Sequence, residues 1–263
     1  MSEVLRIERE AAIARITLNR PEVRNAFNAE LIAAIRAIFE ALAHEPPTAL
    51  RAVVLAGDGK AFSAGADIEW QRASIGLSME ENEADAGRLQ EMLSAIDACP
   101  VPVIAAVHGA ALGGGMALCC VADMTLATAD TTFGFTEVKL GLMPAVISPF
   151  VLARIGEGPA RALFLTGERF GADRATRIGL VSEVVPDRTA LDARVEELLA
   201  EILSAGPEAA RNAKAVIRDQ RGLPRSDALK LSVQRAARQR VSMEGQEGLG
   251  AFLDKRTPSW REE

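Results

Sequence analysis

Apolar and polar residues alternate along Val4–Arg9 and again along Ala12–Leu18, a period of two that predicts two strands joined as a hairpin. The period lengthens over Ala29–Ala43, where Leu31, Ile32, Ile35, Ile38, Phe39 and Leu42 recur at helical spacing behind Asn28, a good N-cap residue. Pro46-Pro47 ends that helix. Ala52–Ala56 and Val103–Val107 are apolar at every position, as strands buried on both faces are. Strand, helix and strand in that order, with such runs, imply parallel pairing and an α/β layer. Asp123–Thr128 and Gly179–Val185 read as further short strands, and Ile147–Ile155 and Pro159–Leu165 as apolar helices. Glu69–Asp97 is polar and helical, with Glu80-Glu81-Asn82-Glu83 as a solvated face or as part of a pocket wall.

The composition shifts after Pro186. Leu191–Leu203, Pro207–Asp219, Ser226–Val241 and Gly245–Lys255 are charged helical segments, with Pro207 at a helix start where it is tolerated. Such a tail buries little by itself, so it is expected to pack on the body or on another subunit. The resulting division is a body of residues 1–190 and a helical region of residues 191–263.

Two stretches stand out chemically. From Pro102 to Leu118 a buried strand leads through a tight turn into three consecutive glycines, Gly113, Gly114 and Gly115, and then an apolar helix start. Without Cβ atoms the turn lets a ligand approach the backbone, and the first N–H groups of the helix lack intrahelical partners. That is a place to hold an oxygen that becomes negative. Neither Gly-x-Gly-x-x-Gly nor a final Gly-Lys-Ser/Thr is present, so nucleotide-binding loops lose weight. Phe62-Ser63-Ala64-Gly65-Ala66-Asp67-Ile68 crowds small residues around a glycine in the same way, as a close-packed turn or as a second source of accessible N–H groups. Glu137, between apolar residues and near glycine, is either an ordinary ion-pairing charge, with Lys139 or Arg154, or a placed carboxyl group.

The chain of 263 residues, 49% hydrophobic and 25% charged, can bury a large core and is neither disordered nor membrane-spanning in character. A net charge of −6 gives no basic footprint for nucleic acid. The first residues show no apolar core of a leader and no Arg/Ser-rich character, so a cytoplasmic place is expected. Cys99, Cys119 and Cys120 lie in apolar surroundings and fit buried free thiols better than metal ligands or disulfides. His44 ends a helix, where a cation suits the dipole, and His108 precedes the turn glycine Gly109, so packing or turn roles suit both better than chemistry.

Several motifs in order resemble the enoyl-CoA hydratase/isomerase (crotonase) superfamily over essentially the whole length. They are Asn19-Arg20-Pro21 with Asn25-Ala26, Phe62–Asp67, Val107–Gly115, Phe133-Gly134 with Glu137 and Gly141, and the ending Phe252-Leu253-Asp254-Lys255-Arg256. The resemblance implies an α/β fold, a crotonase-like ββα spiral with a C-terminal α-helical oligomerisation region, assembling as a homotrimer or a dimer of trimers. It implies an acyl-CoA thioester as substrate, no cofactor or metal, and neither nucleic acid nor membrane as partner. The backbone N–H groups of Ala66 and Gly114 match the family's oxyanion hole, and Glu137 matches its second catalytic glutamate. Ala64, Asp67, Ile68, Gly113, Pro144, Ser148 and Phe252 fall at positions expected to touch the acyl-CoA, and Arg24 and Lys255 near the CoA phosphates and adenine, Lys255 from a neighbouring subunit. Arg24 and Lys255 read equally well as solvated cations, and Ser148 as a helix N-cap before Pro149.

One departure bears on the reaction. Hydratases of the family carry another glutamate two residues after the third glycine, where this chain has Ala117. A single carboxyl group suits 3,2-enoyl isomerisation, a proton shuttled from C2 to C4 of the acyl chain. Against this, Gly141–Phe150 resembles bacterial methylglutaconyl-CoA and isohexenylglutaconyl-CoA hydratases, and the glycine-rich run that follows the proline in other hydratases is missing. The expectation is therefore hydration of a 2-enoyl-CoA, with a 3-methylglutaconyl-type acyl group among the candidates and leucine degradation as its setting. Its distal carboxylate would need an arginine or several polar donors; Arg72, Arg88 and Arg154 are the candidates, and each reads first as a surface or ion-pairing arginine. An inactive acyl-CoA-binding relative is the alternative of another class.

Overall fold

A computed structural model describes residues 4–261. Strands β1 (Leu5–Glu10) and β2 (Ile13–Leu18) form the expected antiparallel hairpin, followed by helix α1 (Ala29–Ala43), whose Asn28 side chain accepts the Leu31 N–H at 2.9 Å. Strands β3 (Ala52–Gly57), β4 (Val103–Val107), β6 (Met124–Thr128) and β9 (Glu183–Val185) add to β2 in parallel, giving a six-stranded sheet in the order β1-β2-β3-β4-β6-β9. A second, smaller sheet contains β5 (Ala110–Leu112), β7 (Thr132–Gly134) and β8 (Arg169–Gly171). Parallel bridges from Ser63 to Ala111 and from Ala66 to Phe27 extend this second layer. Each turn of the chain thus lays one strand in the large sheet and one short segment in the small one before a helix, which is a ββα spiral.

The fully apolar strands are apolar because both faces are covered. Val53 and Leu55 of β3, with Val103, Ala105 and Val107 of β4, join a large core with α1 and the later helices. Ala52, Val54, Ile104 and Ala106 face a second core, closed by Leu191, Val195 and Leu199 of α8 (Arg188–Ser204). The helical region therefore begins as a layer of the body, with Asp187 capping α8 through the Ala190 N–H. Helices α9 (Pro207–Asp219), α10 (Arg225–Val241) and α11 (Met243–Leu253) follow as expected, and the Lys214 ammonium ties α9 to Asp123 at 2.6 Å. Among the described residues no helix is long and apolar enough to cross a membrane, and all three cysteines are free and buried.

The structure differs from the sequence-based expectation at several places. The polar segment is not one helix: α2 (Ile68–Ser74) stops before Gly76, and α3 (Met79–Asp97) restarts on a capping box of Ser78 and Glu81. The tight turn before the glycines contains β5, and β7, β8 and the short helix α7 (Ala172–Arg177) lie where no element was predicted. Strands of three residues leave no periodicity to read. The apolar helices after Gly141 begin and end close to expectation, as α5 (Ser148–Ile155) and α6 (Glu157–Thr166), preceded by the glycine-turn helix α4 (Gly114–Val121).

The loop after β2 is organised by Asn25, fully buried and in the left-handed region at φ 54. Its side-chain Oδ1 accepts the Arg20 N–H at 2.9 Å, and its side-chain Nδ2 donates to Asp58 O at 2.9 Å and Ala61 O at 2.8 Å. Asn25 thereby ties residues 20–25 to the segment that becomes the Phe62–Asp67 turn. Asn25→Ala removes these bonds, leaves buried backbone groups unpaired and strains the left-handed backbone, so we expect a loss of about 2–4 kcal/mol in denaturant unfolding.

Candidate functional site

The two glycine-containing turns meet. Ser63 N–H donates to Ala110 O at 3.0 Å and Leu112 N–H to Ser63 O at 3.0 Å, so residues 63–66 run beside residues 110–114. Gly65, at φ 91, lies so close that a Cβ there would stand 2.8 Å from Leu112 O. Gly114 opens α4, so its N–H has no intrahelical acceptor, and among the described residues neither it nor the Ala66 N–H has a backbone partner. Both residues line the same cleft, of about 650 Å³. Two uncharged, fixed donors facing one space can receive an oxygen on which negative charge develops.

Glu137 is placed against the second turn. The Gly113 N–H donates to Gly134 O at 2.9 Å, joining the turn to β7, and Glu137 begins the short 3₁₀ segment three residues beyond. Its Oε1 lies 3.2 Å from where a Cβ on Gly113 would be, which explains a glycine at φ 48 there. Its Oε2 is buried without a hydrogen-bond partner among the described residues. Burial pushes the carboxyl up from its ordinary pKa, against a smaller opposing bond from its own backbone N–H. Neither Lys139 nor Arg154 pairs with it: Arg154 donates to the carbonyls of Leu180, Ala122 and Asp123. An unpaired, partly buried carboxyl in a cleft is a group able to carry a proton.

Helices α2 and α3 wall the cleft with Ile68, Trp70, Gln71 and Ser74, and with Asn82, Asp85, Ala86 and Leu89 at helical spacing. Leu140, Leu142 and Met143 face them, 63%, 55% and 75% exposed, with Ile68 at 72%, so the mouth is apolar on both sides. Of the predicted site residues, Ala64, Ala66, Ile68, Gly113, Gly114, Glu137 and Pro144 line this cleft together. Arg24 is exposed beside it, its carbonyl accepting the Ala64 N–H at 2.9 Å. Phe252 and Lys255 are exposed near the end of α11 and outside the cleft of their own chain.

Two of the predicted site residues are displaced. Asp67 does not face the cleft: it is buried, bonded to Arg20 and capping α2 through the Glu69 N–H. Ser148 neither lines the cleft nor caps α5. Its hydroxyl donates to Ala145 O at 2.8 Å, and Pro149 at the second helical position has no N–H to offer it. Arg72 pairs with Glu69 in solvent and Arg88 with Asp85, so among the described residues no lysine or arginine lines the cleft. Asp85 also accepts the Trp70 indole N–H at 3.4 Å. Ala117 is wholly buried in the core, so α4 brings no second carboxylate, and Asp85 and Glu137 are the acidic groups lining the cleft. Trp70, Asn82, Asp85 and Thr136 escaped sequence reasoning, although the spacing of residues 82, 85, 86 and 89 on one helix face was readable.

The chain matches the family model for enoyl-CoA hydratase/isomerase over residues 8–263. It is 34% identical to the crotonyl-CoA hydratase of Syntrophomonas wolfei over 253 residues, covering 95% of each chain. It is 31% identical to the 2,3-dehydroadipyl-CoA hydratase of Escherichia coli over 262 residues, covering 99% of each. The solved structure of Pseudomonas aeruginosa AtuE superposes with a TM-score of 0.94 at 36% identity, covering 98% of this chain and 100% of that one.

Gly113→Ala tests the packing of the carboxyl group. The added Cβ meets Glu137 Oε1 at φ 48, a strained conformation for alanine. We expect turnover of a cleft substrate to fall by about 10²-fold, as a displacement near 1 Å allows, with the far-ultraviolet dichroism unchanged.

Proposed function

Since the chain belongs to the enoyl-CoA hydratase/isomerase family, we propose that it hydrates the 2,3 double bond of an acyl-CoA thioester, with Glu137 as the only acid–base group. The observation that carries this reading is the Glu137 carboxyl, partly buried and with one oxygen unpaired, in the cleft that Ala66 and Gly114 also line. Water adds its oxygen to C3 while Glu137 takes the proton. The π electrons pass to the thioester oxygen, held as an enolate by the two N–H groups. Glu137 returns the proton to C2, and the enolate collapses to the carbonyl. The carboxyl must start ionised, and its raised pKa makes it a better proton acceptor than an exposed glutamate once it is so. The substrate brings its own CoA, and no further cofactor is part of this reading.

The lining favours an uncharged acyl group. Asn82 already gives its amide hydrogens to Leu77 and Ser78, and the Ser74 hydroxyl donates to Gln71 O, which leaves few donors for a distal carboxylate beside Asp85. A 3-methylglutaconyl-type group is supported by the Gly141–Phe150 resemblance, since residues 141–147 line the cleft, and it belongs in the same assay. Arg24, Phe252 and Lys255 would meet the CoA moiety, the last two from a neighbouring copy in a trimer or dimer of trimers. Support for such an assembly comes from Val233, Val241, Met243 and Phe252, each 70% exposed or more on the C-terminal helices. Isomerisation is the second reading, favoured by the buried Ala117 where another carboxylate would stand.

Ultraviolet absorbance of the conjugated thioester decides between them. Crotonyl-CoA, and 3-methylglutaconyl-CoA beside it, should lose conjugation with incorporation of one oxygen from water. Gain of conjugation from a 3-enoyl-CoA alone would replace hydration by isomerisation. Glu137→Gln should lower turnover by about 10²–10⁴-fold while acyl-CoA binding survives, and unchanged turnover would overturn the assignment. In the wild type kcat/KM should rise with pH through a midpoint above the usual glutamate value of ~4.3, because burial keeps the inactive protonated form to higher pH.

A further inference from the structure

Arg20 lies outside the cleft lining, yet its side chain is only 15% exposed and that of its partner Asp67 only 9%. One guanidinium nitrogen donates to Asp67 Oδ2 at 2.9 Å and another to the carbonyl of Ala26. A buried ion pair is weak support for stability, because desolvating two charges offsets their attraction. The geometry around this pair gives it another use. Phe27 N–H donates to Gly65 O at 2.7 Å, and Asp67 N–H donates to Phe27 O at 2.8 Å. The chain on either side of Ala66 is thus clasped by Phe27. Gly65 C=O and Ala66 N–H belong to one planar, trans peptide group, so they point in opposite directions. Fixing the carbonyl against Phe27 therefore fixes the N–H toward the cleft.

We propose that Arg20 is a positioning residue for the Ala66 N–H: its fork grips Ala26 on one strand of this bridge and Asp67 on the other, and so sets the plane of the Gly65–Ala66 peptide. The inference rests on the reading of Ala66 as an enolate donor given above. Asp67 divides its oxygens, Oδ2 to Arg20 and Oδ1 to the Glu69 N–H at 2.8 Å. Burial alone would push this carboxyl up, but the Arg20 bond and the backbone bonds outweigh it and hold the pKa below the usual value, so the pair stays ionised wherever the enzyme works. Arg20 is itself anchored through its own backbone, whose N–H donates to Asn25 and whose carbonyl accepts the Asn25 N–H at 2.8 Å. The planar fork matters, since an ammonium is a point charge that cannot hold two acceptors at a fixed angle.

The test uses Arg20→Lys, Arg20→Met, Asp67→Asn and the double variant Arg20→Met with Asp67→Asn. Asparagine keeps an acceptor for the helix cap, so Asp67→Asn guards against a folding failure. The expected outcome is a fall in kcat of about 10–100-fold with KM little changed, smallest for Arg20→Lys. The double variant should lose no more than the worse single one, as residues acting through one contact do. A second readout does not need hydration: acetoacetyl-CoA ionises to an absorbing enolate when its oxygen is stabilised. Its bound apparent pKa should rise by about one unit in Asp67→Asn, the tenfold equivalent. Thermal midpoints that drop while kcat and the enolate titration stay at wild-type values would make the pair merely structural and overturn the proposal. A wild type that forms the bound enolate without hydrating crotonyl-CoA would instead overturn the proposed reaction and leave the positioning role readable.

Discussion

The backbone of residues 63–66 lies along that of residues 110–114 closely enough that a single Cβ at Gly65 would strike Leu112 O. This contact sets two peptide groups side by side with their N–H bonds unspent, and the surrounding structure has to keep them so. Unpaired donors beside a core are costly unless something occupies them, so the local chain is free to rotate them away unless it is tied elsewhere. Besides the Ser63 bonds between the two turns, the ties lie on their far sides: Phe27 on Gly65 and Asp67, Gly134 on Gly113, Asn25 beneath the first loop. Small residues are needed because the two backbones touch, and hydrogen-bonded neighbours are needed because small residues alone would leave the turns mobile.

The same geometry accounts for the state of Glu137. The bond from Gly113 to Gly134 draws the start of the 3₁₀ segment against the glycine turn and leaves the carboxyl with a buried, unpartnered oxygen. No cation lines the cleft among the described residues, so only the smaller bond from its own backbone N–H opposes the desolvation that raises its pKa. A second carboxylate at Ala117 would have added repulsion and raised it further, and the apolar packing of α4 in the core takes its place. On the proposed reading, the cleft then combines one proton-carrying group with two fixed donors. That is the smallest set that can move a proton at C2 while an enolate is held.

Much of this is legible in the sequence. Long periodic segments gave their elements within a few residues, and the fully apolar runs of β3 and β4 announced two covered faces. The two turns were found from their crowding of small residues, and Glu137 from its motif. What the chain hid were relations between distant residues. Three-residue strands carry no period, and the break between α2 and α3 needed Gly76 to be weighed against the polar run around it. Asp67, inside the second of the two informative turns, faces away from the cleft, because a cap for α2 and a bond to Arg20 use both of its oxygens. Ser148 is displaced for a similar reason, its hydroxyl already given to Ala145 O, whereas Arg72, Arg88 and Arg154 keep the ion-pairing or structural roles that residue type alone suggested for them.

The distribution of these ties also separates reactivity from selectivity. The two glycine-containing turns are held by backbone bonds, from Phe27 N–H to Gly65 O and from Gly113 N–H to Gly134 O, and Glu137 follows β7 by three residues. The wall made by α2 and α3 is held differently, by a helix cap at each start and by the Trp70–Asp85–Arg88 contacts, with Ile68, Leu140 and Met143 still exposed at the mouth. Exposed apolar side chains on both sides of a cleft gain contacts when an acyl-CoA lies between them, without any change at the turns. Substitutions along Trp70, Ala86 and Leu89 can therefore alter which acyl group fits while leaving the donor pair and Glu137 in place. A fold built this way can change its substrate through one wall and keep its chemistry in the other.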